Sequence, residues 1–162
     1  MTDQEWMARA IELASVAASE NEIPVGAIVV LNDNIIGEGY NSPISLCDPT
    51  AHAEIQAIRM ACKTMNNYRL PGATLYVTLE PCSMCAGAIV HSRIDRVVYA
   101  ATEPKSGVVE SQSTFFDLPF LNHKVFTESG VLAETASMQL TQFFQYRREQ
   151  KKKLKEQAKK AI

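Results

Sequence analysis

Trp6, Ala10, Leu13, Ala14 and Ala17 recur at helical spacing behind Thr2 and Glu5, which have the spacing of a capping box. This predicts a first helix running to about Ser19. Val25 to Leu31 is short, apolar and β-branched, and Ile35 to Tyr40 follows Asn32-Asp33-Asn34, whose residue types favour a turn. The two runs predict a β-hairpin. Ser42 to Thr50, with Pro43 and Pro49, reads as a loop. A helix is expected from about His52 to Met65, ended by Asn66-Asn67-Tyr68 and Pro71-Gly72. Thr74 to Leu79 reads as a strand that passes through Glu80-Pro81-Cys82 into a helix ending near His91, and Arg96 to Ala101 as another strand. Residues 102–123 carry Pro104, Gly107 and Pro119 and read as irregular; a loop that long is usually functional or partly helical. Val125 to Thr127 completes the strands, and Gly130 precedes a long helix from about Ala133. Helices alternating with strands in the second half imply parallel pairing there, with helices on both faces of the sheet.

Composition places this pattern in one soluble domain. The chain has 162 residues, 46% hydrophobic and 21% charged, enough for a substantial core and far from the disordered range. No run approaches the roughly 18–20 apolar residues of a membrane span, and the start lacks the basic and apolar regions of a signal peptide. A cytoplasmic protein with no membrane association is expected. In such a reducing compartment Cys47, Cys62, Cys82 and Cys85 are thiols or ligands rather than disulfides. The net charge of −2 argues against a nucleic-acid partner only on average. Residues 147–162 hold eight basic and two acidic side chains, so the tail is +6 and residues 1–146 are −8. The expected organisation is a body over 1–146 and a basic helical extension of the same domain over 147–162, an asymmetry that hints at nucleic acid or a membrane surface.

The candidate chemistry lies at two predicted helix starts. Cys82-Ser83-Met84-Cys85 gives two thiols three apart, where the positive end of a helix favours thiolates. Zinc suits such a pair, and His52 suits it as a third ligand. His52-Ala53-Glu54 also brings a carboxylate to the same helix start, where it reaches a metal-bound water. Three ligands, a water and a carboxylate outside the ligand set make a hydrolytic centre with one Zn2+, in which Glu54 carries protons. A closed structural site would instead recruit Cys47, Cys62, His91 or His123 as fourth ligand, and Cys47 and Cys62 also suit small apolar fillers.

His52-x-Glu54 followed by Pro81-Cys82-x-x-Cys85 resembles the signature of the zinc-dependent nucleobase deaminases. The resemblance extends through Ile23-Pro24-Val25-Gly26-Ala27, Gly37-Glu38-Gly39-Tyr40-Asn41, Asp48 to Ile55, Asn67-Tyr68-Arg69-Leu70 and Thr74 to Ile89. Over nearly its whole length the chain is similar to the bacterial tRNA-specific adenosine deaminases. That resemblance implies an α/β fold, the cytidine deaminase-like three-layer α-β-α sandwich with a mixed five-stranded sheet. It also implies a homodimer, and conversion of adenosine to inosine at the wobble position of a tRNA anticodon, mainly of an arginine tRNA, with release of ammonia. It assigns zinc to His52, Cys82 and Cys85, proton transfer to Glu54 and a hydrogen bond to the flipped base to Asn41. Position alone makes Asn41 a hairpin-end turn residue. Ala53 and Cys82 are candidate backbone N–H donors to the reacting oxygen.

For the anticodon stem-loop, the loop after Ala101 and the last helix offer Glu103, Lys105, Phe143, Phe144, Arg147 and Arg148, charges and aromatics suited to phosphates and splayed bases. The two phenylalanines equally suit anchoring of the helix, and the final lysines a solvated tail. Two departures from the family pattern fall in this loop: Glu103 where an Asp commonly stands, and Gly107-Val108-Val109-Glu110-Ser111 where the run is usually Gly-small-small-Gly-Ser.

Overall fold

Thr2 and Glu5 close the capping box: the Glu5 N–H donates to Thr2 Oγ1 at 3.2 Å and the Thr2 N–H to Glu5 Oε2 at 2.9 Å. Helix α1 (Asp3–Ser19) starts there. In the computed structural model, which describes residues 1–161, strands β1 (Gly26–Leu31) and β2 (Asn34–Tyr40) follow, then a short helix α2 (Pro43–Leu46) and helix α3 (Ala53–Met65). Strand β3 (Thr74–Leu79), helix α4 (Ser83–His91), strand β4 (Arg96–Ala101), a 3-10 turn at Phe115–Asp117, strand β5 (Phe126–Ser129) and helix α5 (Ala133–Lys160) complete the order. Helix α5 runs unbroken through positions 146 and 147, so the basic segment continues a helix of the body. Ile162, the end of the expected extension, lies outside the described residues.

The sheet order is β2-β1-β3-β4-β5. β1 is antiparallel to both β2 and β3, whereas β3–β4 and β4–β5 are parallel. The sheet is therefore mixed and five-stranded, and the second half is parallel. Asn32 and Asp33 both take positive φ (50° and 58°), the backbone of a tight hairpin turn, which short polar side chains tolerate.

Alternation along β1 divides the core. Ala27 and Val29 face a layer built with Ala53, Ala57, Ala61, Ala86 and Ile89 of α3 and α4. Ile28 and Val30 face Trp6, Met7, Ala10 and Leu13 of α1 and Ala136 of α5. Burial on both faces gives the three-layer α-β-α sandwich.

Two segments differ from the expectation. The loop Ser42 to Thr50 contains α2, with Pro at its start, where its fixed φ and missing N–H suit a first turn. Helix α2 buries none of its own side chains; the buried Glu22 carboxylate holds it instead, accepting from the Ile44 N–H (3.2 Å), the Ser45 N–H (2.8 Å) and the Ser45 hydroxyl (2.8 Å). Residues 102–123 include the turn at Phe115–Asp117 and insert Val109 and Phe116 into the core.

Among the described residues, no helix is long and apolar enough to cross a membrane.

Candidate metal centre and its pocket

Two helix N-termini meet beyond the C-terminal end of β3. His52 is the N-cap of α3 and Cys82 the N-cap of α4, both with extended backbone. Neither side chain caps its own helix, so each is available to the other. Cys85 sits one turn into α4 and is fully buried. His52 Nδ1 lies 3.7 Å from Cys82 Sγ and 3.5 Å from Cys85 Sγ, and all three ligand atoms fall within 4.8 Å of one another. A tetrahedral zinc with bonds of about 2.0–2.1 Å to nitrogen and about 2.3 Å to sulfur requires N···S separations near ~3.6 Å. The donor set therefore fits zinc in both chemistry and spacing. Among the described residues, none of Cys47, Cys62, His91 and His123 joins this cluster. The fourth position of a closed structural site is not supplied by them.

A backbone contact sets the height of α3 on the sheet. A Cβ at Gly39 of β2 would fall 2.5 Å from the Ala53 carbonyl oxygen and 2.6 Å from the Ala57 nitrogen. Only glycine there lets the first turn of α3, with His52 and Glu54, lie directly on the strand.

The titrating groups respond to one another. The Cys82 thiol is pushed down to about 4, first by its hydrogen bond with Cys85, then by His52 against the opposing effect of burial. Cys85 is pushed up by the same hydrogen bond and by burial, so Cys82 ionises first. The hydrogen bond with Cys82 raises His52. Glu54 is 4% exposed, and burial raises its pKa above the ordinary carboxylate value; its own backbone N–H and the Cys85 thiol oppose the shift.

A cavity of about 240 Å³ opens over the cluster, and Asn41, His52, Glu54, Cys82, Glu103 and Phe144 line it. Asn41 Oδ1 accepts from the Ala53 N–H at 3.0 Å. The Asn41 carbonyl end is thus engaged, which leaves its NH2 end to offer hydrogen bonds to the cavity. The Ala53 N–H, a candidate donor to the reacting oxygen, here holds Asn41. Lys105 and Arg148 are exposed and do not line the cavity. Arg147 is half-buried, its guanidinium 5.5 Å from the centre of the Phe143 ring. The neighbouring phenylalanines divide their roles: Phe143 is 6% exposed and anchors α5, whereas Phe144 is 39% exposed and faces the cavity.

Several wall residues were not singled out from the sequence. Ile23, Val25 and Leu79 carry no polar signal, and Leu140 lies one helical turn before Phe144, the spacing that could have found it. The largest omission is Glu80, 3% exposed at the end of β3. Its Oε1 accepts from the Glu103 N–H (3.0 Å) and the Ser111 hydroxyl (2.5 Å). Its Oε2 accepts from the N–H groups of Val109 (3.0 Å), Glu110 (2.9 Å) and Ser111 (3.0 Å). Burial alone would raise its pKa, but these bonds outweigh burial and hold it below the ordinary carboxylate value. The departure at Glu110 is accommodated within the same loop, where its carboxylate accepts from the buried Tyr99 hydroxyl.

Comparison with known proteins agrees with this geometry. Residues 1–101 match the model of the cytidine and deoxycytidylate deaminase zinc-binding region. A tRNA-specific adenosine deaminase of Haemophilus influenzae is 55% identical over 151 residues, covering 93% of this chain and 87% of that protein. A solved tRNA:A34 deaminase, from work on A-to-I editing at the wobble position of transfer RNA, superposes with a TM-score of 0.82 at 45% identity, covering 84% of this chain and 99% of that one. A guanine deaminase of Bacillus subtilis superposes with a TM-score of 0.62 at 35% identity over 92% of this chain and 95% of that one. The chain belongs to the zinc-dependent cytidine and deoxycytidylate deaminase family, among its tRNA-specific adenosine deaminases.

Proposed function

We propose that this protein hydrolyses adenosine to inosine at the wobble position of a tRNA anticodon, an arginine tRNA in particular, and releases ammonia. The observation that carries this reading is the cluster of His52, Cys82 and Cys85 beneath a cavity that buried Glu54 also lines, in a chain 55% identical to a tRNA-specific adenosine deaminase. His52, Cys82 and Cys85 would hold the metal. Zinc, when bound, supplies a water acidic enough to act near neutral pH. Glu54 takes a proton from the attacking water and delivers it to N1 of the base, then passes the proton of the added hydroxyl to the amine, so the C6–N bond breaks with ammonia leaving and the water oxygen remaining on C6 as the carbonyl. A carboxyl with a raised pKa suits the donating half of that cycle. Asn41 offers its NH2 to the flipped base, and Phe144 offers a face for stacking.

The RNA contacts extend outward from this point. At 100° per residue, Arg147, Arg148, Lys151, Lys152, Lys155 and Lys159 fall within about 140° of arc on α5, over about 18 Å of its length. Glu149 and Glu156 lie outside that arc, and residues 148–160 are exposed throughout. A stripe that starts one helical turn beyond Phe144 of the cavity and carries one sign of charge suits the phosphates of an anticodon stem, with Glu103 in the cavity wall and exposed Lys105 two residues further along the loop. Removing residues 151–162 should lower the salt slope of tRNA binding by about 0.7–0.9 for each phosphate that is no longer neutralised, with zinc content unchanged. An unaltered slope returns these lysines to solvent.

A homodimer is the expected assembly. Ile44 and Leu46 of α2 and Met60 of α3 are 64%, 55% and 49% exposed, and Leu46 and Met60 border an open groove between the two helices that a second copy would cover. Light scattering of the purified protein checks the mass.

The deciding experiment incubates zinc-loaded protein with an adenosine-bearing anticodon stem-loop and assays inosine, with guanine and cytosine as parallel substrates. Inosine in the stem-loop supports the reading. Turnover of guanine alone replaces it with the activity of the Bacillus subtilis relative.

A further inference from the structure

Glu80 lies two residues before Cys82, yet its five hydrogen-bond donors, from four residues, all lie in the loop after β4. They come from both ends of one segment: Glu103 on one side, Val109, Glu110 and Ser111 on the other. The segment between them is drawn over the carboxylate so closely that a Cβ at Gly107 would fall 2.3 Å from Glu80 Cδ and 2.5 Å from its Oε1. The Val108 N–H also donates to the Pro81 carbonyl at 3.0 Å. Residues 103–111 are thus registered directly on the chain that enters the metal centre.

This segment forms part of the cavity wall. Glu103 and Ser106 line the cavity together with Asn41 and Phe144. Within it, the Gly107 N–H donates to the Glu103 carbonyl (2.8 Å) and the Gln112 N–H to the Gly107 carbonyl (2.8 Å), so its backbone is tied to itself as well as to its anchor. Glu103, Pro104, Lys105 and Ser106 have no side chain in either hydrophobic core cluster. Their position depends on hydrogen bonds, and the largest set of those ends on Glu80. A carboxylate gathering several backbone N–H groups uses them as fully as an anion in a backbone nest does.

We propose that Glu80 is a positioning residue for substrate: it sets residues 103–111 as the wall that grips the nucleic-acid strand around the reacting base. The proposal rests on the tRNA-deaminase reading above. It assigns Glu80 no part in bond making, since its oxygens are occupied by the loop. Loosening the wall should weaken capture of the strand and leave the chemistry at the captured base intact, which is a split between KM and kcat.

Glu80→Gln tests this by replacing one accepting oxygen with a donating NH2 that faces the loop's own donors. Assayed on the anticodon stem-loop in the zinc-loaded protein, it should raise KM about tenfold and leave kcat within about twofold, with zinc content unchanged. Ser111→Ala removes only the hydroxyl bond to Oε1 and should raise KM by a smaller factor in a fully folded protein. In the double variant the Ser111→Ala effect should shrink, because both changes act on one contact. An unchanged KM in both single variants overturns the proposal. So does loss of zinc, or a fall in kcat with KM held, since either would place Glu80 in the metal centre. Failure of the unsubstituted protein to form inosine would strike the substrate reading instead, so the two failures are distinct.

Discussion

Glu54 and Glu80 are two buried carboxylates, 4% and 3% exposed, that both line the same cavity, and their surroundings drive them in opposite directions. At the start of α3, Glu54 is supported by its own backbone N–H and the Cys85 thiol, and burial raises its pKa. At the end of β3, Glu80 has five donors, and they lower it. Burial alone does not determine what a carboxylate does. The number of donors around it does: a poorly satisfied carboxyl keeps its proton within reach of a substrate, whereas a fully satisfied one becomes a fixed anion around which a loop is built.

Substitutions at the two carboxylates separate these roles. The largest effect is expected from Glu54→Ala, which should lower deamination by about 10²–10⁴ while zinc stoichiometry stays at that of the parent; a fully active variant ends the proton-transfer role. Glu80→Ala should cost about 3 kcal/mol of stability by leaving buried donors unpaired, read as a fall in the denaturant midpoint. An unchanged midpoint would mean that the loop does not depend on its anchor. Glu54→Gln in metal-free protein should raise stability by roughly 1 kcal/mol, because a neutral amide relieves a poorly satisfied buried carboxyl. The same change at Glu80 should lower it, and two shifts of one sign would erase the contrast.

The smallest effect concerns Glu22, a third buried carboxylate of the Glu80 type. Burial would raise its pKa, but the hydrogen bonds from Ser45 and Ile44 and the nearby Arg147 lower it overall. A carboxylate with a lowered folded pKa contributes stability that is full above its unfolded pKa, near ~4.3, and is lost as pH falls through the folded value. Glu22→Gln should therefore flatten the acid limb of stability against pH below about 4.3. An identical acid limb would show that the α2 clamp contributes no pH dependence.

Local signals made much of the fold legible. The capping box at Thr2 and Glu5, the Asn32-Asp33 turn and the apolar run of β3 act over a few residues, and each marks its element near its observed bounds. The metal cradle was legible for the same reason, since His52-x-Glu54 and Cys82-x-x-Cys85 each sit within one helical turn. Interactions between segments distant along the chain were not. Helix α2 is held by Glu22, 22 residues from Ile44, and nothing in Pro43 to Leu46 records that partner. Glu80 reaches residues 23 to 31 positions ahead, a contact with no periodicity. The split between Phe143 and Phe144 depends on the rotation of α5 about its axis, and the engagement of the Ala53 N–H depends on where β2 ends relative to α3. Strand β5, expected over Val125 to Thr127, pairs over Phe126–Ser129, a small shift at an exposed edge where burial gives no register.

The contact of Gly39 with the first turn of α3 bears on how this protein tolerates evolutionary change. The seat of His52 and Glu54 is main chain resting on main chain. The first turn of α3 meets the strand there through the Ala53 carbonyl and the Ala57 nitrogen, with Gln56 Cβ beside them at 2.7 Å from where a Cβ would stand. The tolerance is narrow at two positions on β2, since a Cβ at Gly37 would likewise fall 2.2 Å from the Ala57 carbonyl oxygen. The expected signature of such a seat is that Gly37 and Gly39 accept no larger residue, because any Cβ there must push α3, and His52 and Glu54 at its start with it, off the sheet.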